Sequence, residues 1–250
     1  MRIMTVLALL LFSATALAQE NATAQKIIAA MAAEIRTPEE VERDSNRKPV
    51  ETLGFFGLTD DMRVLELLPG GGWYTKILAP TLRDNGKLYV AIGTGNVVAN
   101  LLNQPGFDRV SALDIGVDLV RDGEFGTNNV ASFDFGARDL DMALTFRNMH
   151  NFTPQGRASI NAAVFQALKP GGLYGVVDHT RRHMEPMTME NRRRTDPVQI
   201  IAEAQNAGFE LVAFSDLHYI PDDELRYEVG RRSVTGNSDR YTLLFRKPRK

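Results

Sequence analysis

Two hydrophobic rhythms run along this chain. Short, mostly apolar runs fall at 64–68, 87–92, 141–146, 173–177, 210–215 and 240–246. Runs of that length and composition predict strands covered on both faces. Between them, apolar residues recur three and four apart at 24–35, 50–56, 73–79, 97–102, 156–168 and 198–206, which predicts helices packed on one side. Thr37, Pro38, Glu39 and Glu40 read as an N-cap, a first-turn proline and acids at the positive end of a further helix. Asp84, Asn85 and Gly86 mark a turn, and Thr195, Asp196 and Pro197 cap the helix at 198–206. The stretch 110–135 has no steady period; a strand is expected at 119–120 and loops at Gly123, Gly126, Asn128 and Asn129. Alternating strands and helices predict an α/β protein with a parallel sheet. The last two strands, 210–215 and 240–246, have no helix between them, which predicts an antiparallel partner added to that sheet.

Composition narrows the picture. The chain has 250 residues, 44% hydrophobic and 24% charged, enough for one substantial domain with a core. A formal net charge of -2 argues against nucleic-acid binding by bulk electrostatics. Met1 and Arg2 precede an almost unbroken apolar run at 3–12, and Ala16, Leu17 and Ala18 form a small-x-small cleavage site. This reads as a secretory signal peptide at 1–18, too short for a membrane span, followed by an N-terminal helical segment at 19–57 and an α/β domain at 58–250. There is no cysteine, so neither lipid attachment nor disulfide stapling is available. The mature protein is expected in the periplasm or secreted, after cleavage near Ala18, with no membrane span.

The stretch that carries chemistry begins at the first strand: Glu66, Leu67, Leu68, Pro69, then Gly70, Gly71 and Gly72, then Trp73 and Tyr74. Strand, glycine turn and helix place a ligand against bare backbone N–H groups. Glu-x-x-x-Gly-x-Gly at the end of a first strand resembles the cofactor loop of class I S-adenosylmethionine-dependent methyltransferases. The Lys169-Pro170-Gly171-Gly172 stop before the fifth strand, the Ala207-Gly208-Phe209 stop before the sixth and the reversed terminal pair are similar to that family too. Together with Arg147-Asn148-Met149-His150-Asn151, Gly175 to His179 and the Ser215-Asp216-Leu217 region, they resemble a subgroup of exported bacterial methyltransferase-like proteins. The resemblance implies a Rossmann-like class I sheet, mostly parallel, of seven strands with the last antiparallel and helices on both faces. It also implies S-adenosylmethionine as cofactor, bound by Glu66, Gly70, Gly71, Gly72, Trp73 and Asn148. Replacing Gly72 by arginine is expected to abolish that binding and leave the fold intact.

Two departures stand against the resemblance. Leu68 replaces the first glycine of the family's loop, and the carboxylate that grips the ribose at the end of strand two is missing, because residues 87–96 contain no acid. Losing that charge-assisted pair of hydrogen bonds costs about 2–4 kcal/mol, or roughly thirty- to a thousandfold in affinity. For catalysis, His150 and His179 are the candidates, since an imidazole near neutral pKa takes a proton from an oxygen or nitrogen nucleophile. Asp178 is expected to point away from His179, so the two are not read as a dyad. The arginine-rich segment 181–194 reads as a lid for a small, acidic substrate, or as a solvated charge run. Asp216, His218, Asp222 and Asp223 lie on a connection expected to be a surface excursion. His150, His179, His183, Asp178 and Asp141 lack the tight spacing of metal ligands, and no metal is expected. The function expected is S-adenosylmethionine-dependent methyl transfer to a small molecule. The alternative is a non-catalytic exported small-molecule-binding protein on the same fold.

Overall fold

A computed structural model describes residues 19–121 and 125–249, so the expected signal peptide at 1–18 and the loop expected at Gly123 lie outside the described residues. The first helix, α1, occupies 19–31. Thr37 then caps α2 (Pro38–Glu42) in a reciprocal box: its hydroxyl accepts from the Glu40 N–H, and the Glu40 carboxylate accepts from the Thr37 N–H at 2.9 Å. The segment that follows is broken into α3 (Asp44–Arg47) and α4 (Pro49–Phe55), because Lys48 takes a left-handed conformation at φ 41° just before Pro49.

The remaining elements, in order, are β1 (Arg63–Leu67), α5 (Thr75–Leu82), β2 (Lys87–Ala91), α6 (Gly95–Asn100), β3 (Val110–Ala112), β4 (Val120–Arg121), β5 (Asn128–Asn129), β6 (Leu140–Phe146), α7 (Pro154–Ala167), β7 (Leu168–His179), α8 (Pro197–Asn206), β8 (Glu210–Ser215) and β9 (Arg240–Arg246). Seven strands form one sheet in the order β3-β2-β1-β6-β7-β9-β8, while β4 and β5 pair as a separate antiparallel ribbon. The pairs β3/β2, β2/β1, β1/β6 and β6/β7 are parallel. Only β9 runs the other way, with Leu244 opposite Gly175 of β7 and Leu243 opposite Phe214 of β8. The reversed final strand was legible because no crossover helix separates β8 from β9.

Sequence and structure differ at β7. The helix stop at Lys169-Pro170-Gly171-Gly172 is expected to lie outside the strand, yet β7 already starts at Leu168. Leu168 pairs with Leu140, and the register then slips before Met142 pairs with Leu173. The proline and glycines occupy that irregularity, the place in a sheet where a missing N–H and a positive φ are tolerated.

Strand alternation sends side chains into two cores. Leu65 and Leu67 of β1 and Tyr174 and Val176 of β7 join α7 and α8 on one face. Val64, Met142, Leu144, Phe146 and Val177 join α1, α4, α5 and α6 on the other. Gly175 is required on that second face: a Cβ there would lie 2.8 Å from Leu144 Cδ2 and 2.9 Å from the Phe56 ring. Phe56, at the end of α4, thus presses directly on the sheet and ties the N-terminal helices to it. The strand order reverses between β1 and β6, the point in an open α/β sheet where ligands bind beyond the carboxyl ends.

Candidate active site

After β1, Leu68 turns left-handed at φ 51°, so the backbone keeps a glycine-like conformation although the residue is leucine. Gly72 N–H closes the turn on the Pro69 carbonyl at 2.9 Å, and α5 begins only at Thr75, two residues later than the periodicity predicts. The glycines are not equivalent. A Cβ on Gly70 or Gly71 meets nothing within 4 Å, whereas one on Gly72 would lie 2.4 Å from Leu101 Cδ1 and 3.4 Å from Val97 Cγ2, at φ 83°. Gly72 therefore serves helix packing against α6, and the expectation that Gly72→Arg spares the fold is corrected. Gly70 and Gly71 are the open positions.

This loop, with the ends of β1 and β6, borders a cavity of about 220 Å³. Glu66 lines it, buried at 2% exposure, and takes a 2.6 Å hydrogen bond from the Thr75 hydroxyl. Burial pushes its carboxyl up to about 7, opposed by the Thr75 bond and the Arg47 charge. Asn148 does not present its amide to the cavity alone: the NH2 donates to the carbonyls of Leu67 at 3.3 Å and Leu68 at 3.2 Å, holding the loop to the end of β6. Trp73 is buried under the N-terminal helices, its Nε1 donating to the Glu40 carbonyl at 2.9 Å and the Arg47 guanidinium lying 4.2 Å over its ring. Tyr74 stacks on Phe146 at 3.5 Å between centroids.

A second cavity of about 390 Å³ shares Arg43, Arg47 and Arg147 with the first, and both candidate histidines line it. His150 sits in the 3-10 turn Met149–Asn151 that follows β6. Asp178, fully buried at the end of β7, accepts from His150 Nδ1 at 2.6 Å, from His150 N–H at 2.8 Å and from His179 N–H at 2.8 Å. Asp178 makes no hydrogen bond to the His179 ring among the described contacts, and the sequence pattern gives no sign that its ring partner is His150. A 3-10 turn and a strand end, 28 residues apart in sequence, make the pair. With Nδ1–H donated to the Asp178 carboxylate, Nε2 of the neutral tautomer is the free acceptor of the ring. His179 stands 5.5 Å from His150 between ring centroids and shares a 2.9 Å hydrogen bond with Ser238 Oγ. Burial first, then His150 and the charges of Arg147, Arg240 and Arg194, hold its pKa well below 6.5. It is neutral at physiological pH.

The connection between β8 and β9 runs largely over the surface, as expected, with Asp216 and Asp222 exposed, but parts of it turn inward to the site. Its Ser238 reaches His179, and its His218 is buried between Thr242 Oγ1 at 2.7 Å and the Arg47 carbonyl at 3.1 Å. Asp223 takes both guanidinium nitrogens of Arg194 at 2.9 Å. The segment 181–194 is correspondingly less of a free cationic lid: Arg194 is fully buried on Asp223, and Arg193 pairs with Glu228. Of that segment only Arg193, paired with Glu228, lines the second cavity among the described residues; the other arginines there come from elsewhere, namely Arg43, Arg47, Arg147 and Arg240. Sequence signals for them are weak, since they are spread over 197 positions and no motif joins them.

At the end of β2 the structure offers Ile92, at φ 62°, then Gly93, Thr94, Gly95 and Asn96, with no carboxylate. Among the described residues no group of three or more His, Asp or Glu side chains is placed to hold a metal ion. Of the five residues weighed as ligands, His183 bonds Asp196 and Asp141 pairs with Lys169, so they do not converge on the His150–Asp178 pair.

No family model matches the chain, and no curated protein does. Solved structures do. A SAM-dependent methyltransferase from Aquifex aeolicus aligns with a TM-score of 0.55 at 15% identity, over 89% of this chain and 97% of its own. The glycopeptide N-methyltransferase MtfA aligns with a TM-score of 0.53 at 16% identity, over 85% of this chain and all of its own. The [4+2]-cyclase SpnF aligns with a TM-score of 0.54 at 18% identity, over 81% of this chain and 80% of its own. The chain thus has the Rossmann-like fold of class I methyltransferases.

Proposed function

We propose that this chain transfers the methyl group of S-adenosylmethionine to an oxygen or nitrogen nucleophile of a small molecule, with His150 as general base. The observation that carries the reading is the His150–Asp178 pair, held in a cavity that adjoins the glycine-loop cavity at the carboxyl ends of β1 and β6. The donor set fits the amino-acid end of the cofactor: open backbone at Gly70 and Gly71, Glu66 for an ammonium, and Arg43, Arg47 or Arg147 for a carboxylate. It supplies no acid for the ribose hydroxyls.

The cofactor, when bound, supplies a sulfonium methyl open to in-line attack. The chain's own part is largely to position the reactants, which by itself removes much of the barrier. Asp178 fixes the imidazole so that Nε2 of His150 takes the proton from the attacking nucleophile, and His179, neutral and tied to Ser238, orients rather than titrates. The buried arginines and the 216–239 connection keep bulk water from the pair.

Export after cleavage near Ala18, and membership of the exported subgroup, belong to the same proposal. Fold alone leaves the reaction open, as the cyclase among the fold neighbours illustrates. The missing acid at the end of β2 favours a second reading, a binding protein without catalysis.

Calorimetric titration of S-adenosylmethionine and S-adenosylhomocysteine into the protein tests the proposal. Micromolar binding is expected, and none up to millimolar would sink it in favour of the second reading. Once an acceptor is found, Asp178→Asn should lower kcat by about 10²- to 10⁴-fold and shift the pH profile, with binding of S-adenosylhomocysteine unchanged.

A further inference from the structure

Arg43, Arg47, Arg147 and Arg240 surround the joined cavities, and among the described residues none of the four has a carboxylate within 4.0 Å. Arg47 and Arg240 are buried, at 4% and 6% exposure. Arg47 spends its guanidinium on the Trp73 face, and Arg240 gives one nitrogen to the Asn46 carbonyl at 2.8 Å. Arg147 Nε is buried with no hydrogen-bond partner, and the residue holds a left-handed backbone at φ 62° directly after β6. Burial, and then mutual repulsion among the arginines, pulls Arg47 down to about 9 and Arg240 down to about 10. The nearby acids are engaged elsewhere and reach these arginines only at a distance: Asp178 bonds His150, Glu40 bonds Lys76, Glu228 bonds Arg193, Glu66 takes the Thr75 hydroxyl and Asp239 takes the Ile220 N–H. A buried charge without a counter-charge is costly, and strained, unpaired groups around a cavity mark a place kept for a ligand.

We infer that this cavity binds a small oxyanion carrying at least two negative charges, a phosphate monoester or a polycarboxylate, in the forks of Arg147 and Arg240, with Arg47 and the exposed Arg43 adding positive charge beside it. As the identity of the methyl acceptor the inference rests on the proposed reaction; as a binding site it does not. A sulfonium, an ammonium and one carboxylate together bring one net positive charge, which increases the surplus rather than relieving it. A neutral acceptor would leave it in place. A dianion matches it, because guanidinium forks pair two-to-one with phosphate or carboxylate oxygens. The same group would sit beside His150 and His179, which line the same cavity.

The test uses inorganic phosphate and citrate as probes, against sodium chloride at equal ionic strength. At a hundredfold excess over Kd, either probe should raise Tm by roughly 5 °C or more beyond chloride. It should also change the fluorescence of Trp73, the only tryptophan of the chain, through Arg47. Arg147→Gln and Arg240→Gln should each weaken binding at least tenfold; free Arg147→Gln should melt no lower than the parent, since its Nε has no hydrogen-bond partner and its loss removes like-charge repulsion, whereas Arg240→Gln also gives up the Asn46 bond. Arg83→Gln, at an exposed pair with Asp108, should bind as the parent does. Response to phosphate alone assigns a phosphate monoester, and response to citrate alone a polycarboxylate. No shift beyond chloride, or unchanged affinity in both arginine variants, overturns the inference. Oxyanion binding without S-adenosylmethionine binding would defeat the methyl-transfer reading and leave this site standing; the reverse result would do the opposite.

Discussion

Glu66 is a carboxyl group taken out of water with one hydroxyl partner, and its environment sets a measurable pH response. Between pH 4.5 and about 7 the unfolded chain releases the Glu66 proton while the folded protein retains it. The folded state then binds more protons, so stability falls as pH rises through that interval and levels off above it, by about 3 kcal/mol in all. His179 and His218 act in the opposite sense, losing stability as pH falls below 6.5, but equally in parent and variant. Glu66→Gln keeps an acceptor for Thr75 and removes the titration. Urea melts at pH 5 and pH 8 should therefore show the parent losing more stability than the variant; equal losses would place Glu66 in a wetter site. At this scale the sequence exposed residue types and little else. Glu66 and the histidines stood out by position at strand ends, whereas Arg47 and Arg240 look in sequence like ordinary surface charges.

Elements were more legible than residues because each is specified by neighbours in the chain. Thr37 with Glu40, and Asp196 with Pro197, cap their helices as their spacing dictates. The glycine turn was visible as three consecutive glycines, but their division of labour was not, since only α6 makes Gly72 obligatory. Gly71→Ala, with no left-handed strain and no neighbour within 4 Å, should leave Tm within about 1 °C and weaken ligand binding in the loop. Gly72→Ala should cost about 1–3 kcal/mol through its φ of 83° and the Leu101 contact. Thermal melts and titrations of the two variants check the contrast. Equal melting temperatures would show that Leu101 yields and that Gly72 serves the ligand after all. The stretch 110–135 was unreadable because β3, β4 and β5 are two or three residues long, shorter than any period can register.

For the whole molecule, the N-terminal helices are part of the site and of the core. Phe56 fills the space over Gly175, Glu40 holds both Trp73 and Lys76, and Arg43 and Arg47 line the cavities. Arg240 and His218 reach back to Asn46 and Arg47 from the far end of the chain. Removing residues 1–57 should therefore leave a protein without a cooperative melt, with Trp73 emission shifted to the red. A sharp transition near the parent temperature, measured by calorimetry, would show instead that 58–250 folds on its own.

The alternation of strands and helices, the reversal of the last strand, the glycine turn and the lack of an acid after β2 are all legible from neighbouring residues, because each is a property of a contiguous stretch. Tertiary structure alone decided which strand ends meet at the switch point between β1 and β6. It also decided that Asp178 bonds His150, that part of the 216–239 connection lines the cavity and that, among the described residues, four scattered arginines meet there without an ion-pair partner. Those are contacts between segments far apart in the chain, and local periodicity carries no information about them.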